Sequence, residues 1–228
     1  MELIWLAVAM AAFLGTHFAL SHPLRPFLVK LLSLRGFLAF YSVVALATFG
    51  WMVVAFHRTP AGTPLWDGMA ALPWTVSSLL TLVALALFMA SLGGNPALAG
   101  ARVHGLSAQL PRGVFKITRH PMMMAFAIWA VSHMLVAPIP RTFILAGGIA
   151  LLALLGSHLQ DRKKKELHGG EWRAWMKRTS FWPDLAHAKE LGVWLAAASF
   201  PWLAITWLHM PLAQIPAGIW MLVPAHAL

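Results

Sequence analysis

The sequence predicts an all-α fold, a polytopic membrane helix bundle with six transmembrane helices and a short apolar C-terminal segment. Of its 228 residues 60% are hydrophobic and 11% are charged, and the mean hydropathy is +0.72. A soluble domain of this length could not bury that much apolar surface, so lipid must cover much of it. Six apolar runs of about 17–21 residues each match the ~20 residues that cross a bilayer.

The six predicted spans are bounded by prolines, glycines and polar residues. They cover 3–20, 36–56, 73–92, 121–137, 142–159 and 191–208. The first follows Glu2 rather than a lysine or arginine and lacks an A-x-A site behind it, which favours a span over a signal peptide. Residues 160–190 are expected to form a soluble insertion whose aromatic residues lie among lipid headgroups. The apolar tail 212–228 is too short and proline-broken to predict a seventh span.

The positive charge of the chain predicts its orientation in the membrane. A net charge of +10 would suggest nucleic acid binding in a soluble protein, but here the basic residues lie in loops. Three, four and eight of the 17 basic residues follow spans one, three and five, and Arg58 and Arg141 are the other two. The positive-inside rule puts those three loops in the cytoplasm and both termini outside. The predicted partner is the lipid bilayer, with no nucleic acid, around a single membrane domain of residues 1–228.

Three of the 11 histidines, His17, His133 and His158, lie within apolar runs. Ionisable residues inside a membrane are costly, which makes them candidates for function. Neutral imidazole is a common ligand of haem iron, and thiolate ligation is excluded because the chain has no cysteine. A proton relay is the other functional interpretation. The simpler one is a histidine bonded to a carbonyl of its own helix.

The stretch from Lys116 to His133, KITRHPMMMAFAIWAVSH, opens with polar residues and continues as an apolar helix. Pro121 suits the first turn of that helix, because its missing N–H would have no partner there. Arg119 and His120 then lie at the mouth of the helix. We expect His120 to be a rim residue that contacts a loop carbonyl or a ligand carboxylate beside Arg119.

A second group of polar residues follows the fifth span. His158 and Asp161 are three residues apart and would share a helix face. Asp161 is therefore predicted to accept a hydrogen bond from the His158 ring and to orient it. The alternative is that Asp161 pairs with the basic run behind it.

Three stretches resemble the NnrU family of bacterial membrane proteins: GTHFALSHPLR (15–25), GFLAFYSVVALATFGW (36–51) and ITRHPMMMAFAIWAVSH (117–133). The resemblance covers about residues 10–165 and implies a multi-pass protein of the bacterial inner membrane, in the setting of denitrification and nitric oxide metabolism. The plant relative of the family, zeta-carotene isomerase, uses haem b in a cis–trans isomerisation. The resemblance therefore implies haem b and an apolar small-molecule substrate.

The resemblance also implies which residues bind the haem. His17 and His133 would be the axial iron ligands. Judged from the residues themselves, His17, His120 and His158 share a depth more naturally, so His158 or His120 is the replacement ligand, and the forked donors of Arg119 suit a haem propionate. Counting residues gives a different expectation. His17 lies about five residues from the cytoplasmic end of its span and His133 about twelve, an offset near 10 Å at ~1.5 Å per residue.

Two other functions stay open. RHPMMMA, at 119–125, resembles the entry of isoprenylcysteine-methyltransferase-type enzymes, which use S-adenosylmethionine, and residues 166–183 resemble their cytoplasmic tail. Met123 replaces the usual tyrosine, and Lys165-Glu166 replaces the usual acidic pair. The third function is that of a non-catalytic accessory or sensor protein.

Overall fold

Helices make up nearly all of the regular structure in the computed structural model, which describes residues 1–98, 100–101 and 103–223. The α-helices are α1 (Glu2–Ser21), α2 (Arg25–Arg58), α3 (Ala71–Ala90), α4 (Val114–Ile117), α5 (Pro121–Val136), α6 (Pro140–Arg178) and α7 (Gly192–Ala213). Short 3-10 helices cover Leu106–Ala108, Leu185–Leu191 and Gly218–Leu222. No strand occurs in the described residues, which confirms the all-α fold.

Five helical segments are long and apolar enough to cross a membrane, namely α1, α2, α3, α6 and the segment Leu185–Ala213 that contains α7. α5 is a shorter apolar helix of 16 residues. It begins at Pro121 as predicted and ends before Pro138, which disfavours helical geometry in the residue that precedes it. The chain is thus a multi-pass helical membrane bundle, with α5 as its shortest apolar element.

Two predicted boundaries are wrong because a helix need not end where the membrane does. α2 begins at Arg25 rather than at residue 36, with Pro26 in its first turn and a kink at Ser33, where φ is 61°. α6 continues from the fifth span through most of the predicted insertion and breaks at Gly169, where φ is 51°. Trp172 and Trp175 on this extension are buried in protein rather than among lipid headgroups.

The five long apolar helices and the shorter α5 pack side by side in a row. Contacts join α2 to α1, α1 to α6, α6 to α5, α5 to α3 and α3 to α7. This helix row differs from chain order, because α6 lies between α1 and α5. One apolar core fills the space between α1, α2 and α6, and a second fills the space around α3, α5 and the buried tryptophans of α6.

Polar contacts cluster at one end of the bundle along the helix axes, where α1 ends. Nζ of Lys163 lies 3.5 Å from the carbonyl oxygen of Ser21 at the end of α1, and Nε2 of Gln160 donates to the carbonyl of Ala97 at 2.7 Å. α5 begins at this end. We call this the basic end, because it carries the three stretches that hold most of the lysines and arginines, 22–35, 93–120 and 160–190, much of which is helical.

The chain after α7 folds back along α3 and α7 rather than crossing the membrane. Trp74 donates its indole N–H to the carbonyl of Gly218 at 3.0 Å. Gly218 has a φ of 58°, and a Cβ there would overlap the ring of Trp202, so only glycine fits. The tail to Val223 thus agrees with the expectation of no seventh span. Residues 224–228, with His226, and Arg102 lie outside the described residues.

Candidate functional site

Asp161 is the centre of a buried polar cluster at the basic end. Its Oδ2 accepts a hydrogen bond from Nε of Arg119 at 2.8 Å and forms an ion pair with Nη2 at 2.7 Å. Its Oδ1 accepts from Nε2 of His120 at 3.0 Å and from the indole N–H of Trp172 at 3.1 Å. Asp161, Arg119 and His120 are only 4%, 7% and 1% exposed. The Asp161 carboxylate therefore links the residues that precede α5 to α6 and also links two separate positions on α6, Asp161 and Trp172.

Residues 179–181, which follow α6, complete the cluster. The backbone N–H of Arg119 donates to the carbonyl of Ser180 at 2.8 Å, and the hydroxyl of Thr118 donates to the carbonyl of Phe181 at 2.7 Å. Nη1 of Arg119 donates to the carbonyl of Thr179 at 3.1 Å. The guanidinium group also lies over the Phe181 ring, 5.3 Å from its centroid. These contacts use most of the donors of Arg119 within the protein.

A cavity of about 430 Å³ opens beside this cluster. Its lining residues are Arg119, His158, Asp161, Arg162, Lys165, Met176, Phe181 and Trp182. Arg162 and Lys165 are exposed, whereas Asp161, the one carboxylate among the described lining residues, already accepts three hydrogen bonds and pairs with the Arg119 guanidinium. The cavity is therefore cationic with aromatic walls, which suits an anionic ligand.

The electrostatics of the cluster keep Asp161 ionised. Burial alone would raise the pKa of Asp161, but the hydrogen bonds and charges of His120 and Arg119 outweigh burial and hold that pKa below its usual value. Lys164 shows the opposite balance. Burial, with the charges of Lys163 and Arg25, lowers the pKa of Lys164 to about 8. Its Nζ donates to the carbonyls of Pro96 and Leu98 at 2.9 and 3.2 Å.

Two sequence predictions about this region are wrong. His120 is not a rim residue, because it is buried against Phe181 and bonded to Asp161. Asp161 does not orient His158, because its two oxygens serve Arg119, His120 and Trp172. His158 is instead exposed and lines the cavity.

His17 and His133 share one local geometry. Nδ1 of His17 lies 2.7 Å from the carbonyl oxygen of Phe13, and Nδ1 of His133 lies 2.9 Å from that of Trp129. This is the helix-carbonyl bond of the simpler interpretation. It also fixes the proton on Nδ1, and Nε2 of each ring has no hydrogen-bond partner among the described residues. Each ring is thus prepared to bind a ligand through Nε2.

Contacts with α6 show how deep His17 and His133 lie relative to each other along the bundle axis. Met10 of α1 packs on Gly148, and His120 at the start of α5 contacts Asp161. His133 is thirteen residues beyond His120, which brings it back to the level of Gly148 and hence of Met10. His17 is seven residues beyond Met10, so it lies about 10 Å nearer the basic end at ~1.5 Å per residue. The structure does not bring the two rings to one level.

The sequence matches the profile of a protein family over residues 5–217, nearly the whole chain. That family is described as NnrU protein. The chain belongs to the NnrU family. The match confirms the resemblance and extends it beyond residue 165 to include α7. No curated protein and no solved structure matches the chain.

Sequence reasoning missed the role of Trp172 and the true partners of Asp161 within this NnrU-family chain. Arg119 and Asp161 are 42 positions apart, and local spacing carries no signal for such a pair. Trp172 was assigned to the headgroup region because aromatic residues beside basic ones favour that position. A signal did exist in the single acidic residue between His158 and Lys165, since a buried arginine needs a carboxylate.

Proposed function

We propose that this NnrU-family chain is an integral membrane haem b-binding protein in which His133 is an axial ligand of the iron. The observation that carries the proposal is the His133 ring, which lies within an apolar helix with Nδ1 on the Trp129 carbonyl and Nε2 open. A carbonyl that fixes Nδ1–H is the usual support of a histidine ligand. The ring also packs against the Trp129 indole, with centroids 4.1 Å apart.

Haem fits the donors of this chain better than a simple metal ion does. No group of three or more His, Asp or Glu side chains is gathered to hold a metal ion in the described ranges. A haem brings four nitrogen ligands of its own and needs only one or two from the protein. Its chemistry when bound would be diatomic gas binding, electron transfer or isomerisation of an apolar substrate. The family resemblance implies a setting in nitric oxide metabolism or the isomerisation of an apolar substrate.

His17 as the second axial ligand stays a prediction of the resemblance. Its Nε2 is open, which supports ligation. The depth difference of about 10 Å from His133 stands against both rings binding one iron in one chain. His158 is the other candidate, since it lines the cationic cavity where Arg162 and Lys165 could bind propionates.

The test is to purify the protein from cells with ample haem supply and to record absorbance and the pyridine haemochrome spectrum. We expect a b-type spectrum in the wild type and loss of haem or a high-spin spectrum in His133→Ala. His57→Ala is the matched control, because His57 is an exposed histidine at the end of α2. Protein without haem under these conditions, with His133→Ala as stable as the wild type, would contradict the proposal.

The cationic cavity supports methyl transfer poorly as the second candidate function. Glu171, in the stretch that resembles the methyltransferase tail, accepts a hydrogen bond from the Ser107 backbone at 2.6 Å, and Glu166 is exposed beside Arg162. Asp161 is the only carboxylate among the described residues that line the cavity, and both of its oxygens already accept hydrogen bonds. Retention of labelled S-adenosylmethionine by haem-free protein would favour the methyltransferase over haem binding.

The proposed location is the bacterial inner membrane, with the basic end in the cytoplasm and both termini outside. Reporter fusions after Arg58 and Arg141 should read as external, and a fusion after Arg178, at the end of α6, as cytoplasmic. An external reporter after Arg178 would reverse the orientation.

A further inference from the structure

His209, near the end of α7, has the same geometry as His133. Its Nδ1 lies 2.8 Å from the carbonyl oxygen of Ile205, one turn earlier. Its Nε2 has no hydrogen-bond partner in the described part of the chain, so this ring too presents an open nitrogen. Sequence analysis does not single it out, because it lies two residues before Pro211 at the edge of an apolar run.

The faces of α5 and α7 bring His133 and His209 to the same neighbour, α3. Phe126 of α5 contacts Phe88 of α3, with ring centroids 5.7 Å apart, and His133 follows Phe126 by seven residues. Trp202 of α7 donates to the hydroxyl of Thr81 on α3 at 2.9 Å, and His209 follows Trp202 by seven residues. Seven residues are close to two helical turns, so each histidine shares the face of its aromatic residue.

α3 also measures the depths of these two histidines. The hydroxyl of Ser77 donates to the carbonyl of Ser132 at 2.9 Å, which puts His133 near the level of residue 76. Counting seven residues along α7 from the Trp202–Thr81 contact puts His209 near the level of residue 74. The difference is two residues, or about 3 Å at ~1.5 Å per residue. His17 lies about 10 Å from the level of His133 by the same kind of count.

The two histidines are thus neighbours in depth, on helices that have α3 as a common neighbour. The two helices contact α3 rather than mainly each other, so they flank it. Two helices held apart by a third have a separation across which two imidazoles can face a flat group.

We propose that His209 is the second axial ligand, opposite His133, of the haem in this protein. The inference rests on the proposed haem function and replaces His17 with His209 in the ligand pair. Both Nε2 atoms would bind the iron, and the carbonyls of Trp129 and Ile205 would hold the Nδ1 protons. Two imidazole ligands make the iron six-coordinate and low-spin, which suits electron transfer.

The test compares His209→Ala with His17→Ala in haem-loaded protein by absorbance and electron paramagnetic resonance. We expect low-spin haem in the wild type, high-spin haem in His209→Ala, and return of the low-spin signal when imidazole is added to that variant. His17→Ala and the exposed-histidine control His57→Ala should keep the wild-type spectrum. His209→Met is a second variant, for which we expect a low-spin spectrum altered by thioether ligation.

The outcomes separate this inference from the proposed function. A haem-containing wild type whose spectrum is unchanged in His209→Ala and His209→Met overturns the His209 ligand and leaves haem binding intact. A high-spin spectrum in His17→Ala together with an unchanged one in His209→Ala restores the pair that the resemblance implies. A wild type that binds no haem overturns the proposed function and the ligand pair with it.

Discussion

The buried Asp161 carboxylate at the basic end and two histidine rings in the opposite half of the bundle differ in which atoms complete their hydrogen bonding. At the basic end Arg119, His120 and Trp172 all donate to Asp161, so protein atoms satisfy the carboxylate. In the opposite half His133 and His209 each bond Nδ1 to a helix carbonyl, and Nε2 has no hydrogen-bond partner among the described residues. A polar group satisfied by its own protein stabilises the fold, whereas an open nitrogen in an apolar helix is available to a ligand.

The largest effect that this comparison predicts is the loss of the carboxylate at the basic end. Asp161→Ala would leave Arg119 and His120 buried without their partner, which we expect to lower the free energy of unfolding by about 3–5 kcal/mol. Unfolding in detergent, followed by tryptophan fluorescence, measures it. Glu166→Ala is the control, because Glu166 is exposed beside Arg162 and its loss should stay within about 0.5 kcal/mol. Equal stability of the two variants would contradict the structural role of Asp161.

A smaller loss of stability is expected at the opposite end of the bundle, where Gly68 packs directly against the backbone at the end of α5. A Cβ on Gly68 would overlap the carbonyl oxygen of Val136 at the end of α5, so Gly68→Ala should cost about 1–3 kcal/mol. Gly93→Ala is the matched control, because no heavy atom lies within 4 Å of a Cβ there. Thermal unfolding of the two variants checks this. A Gly93→Ala variant as destabilised as Gly68→Ala would show that steric contact at residue 68 is not the cause.

The smallest effect is a pH dependence from Lys164. Its pKa is lowered from 10.5 to about 8 in the folded protein, mainly by burial. Above pH 8 the folded protein releases a proton that the unfolded chain keeps, so stability should rise with pH, by about 1 kcal/mol between pH 8 and 9. Lys164→Met should remove that rise, whereas the exposed control Lys165→Met should keep it. Parallel pH curves for the wild type and Lys164→Met would contradict the assignment.

The sequence predicted the features that depend on local chemistry. Apolar runs predicted the spans, and Pro121 predicted the start of α5, since proline in a first turn is favoured by its own geometry. Residue counting predicted the depth difference between His17 and His133, because helical rise is constant. The extension of α6 beyond residue 159 was not predicted, since a change from apolar to charged residues marks the membrane surface rather than the helix end.

Features that depend on tertiary packing could not be predicted from the sequence. The bond between Arg119 and Asp161 requires α5 and α6 to be neighbours, and hydropathy gives no neighbour order. His209 was not singled out from the sequence, because it lies just beyond the end of the sixth predicted span. Its relation to His133 became visible only through α3, which contacts both helices.

The order of the helix row differs from the order of synthesis, which affects how the chain can assemble in the membrane. α1 and α2 can pair as soon as both have been made, because they are neighbours in the row. α3 has α5 and α7 as its neighbours, and both are synthesised later. Until then the hydroxyl of Ser77 lacks its partner on Ser132, and it can bond only to its own helix. After insertion α3 therefore stays without helix neighbours until α5 is inserted. The insertion of α5 and α6 then connects the early pair α1–α2 to the rest of the protein.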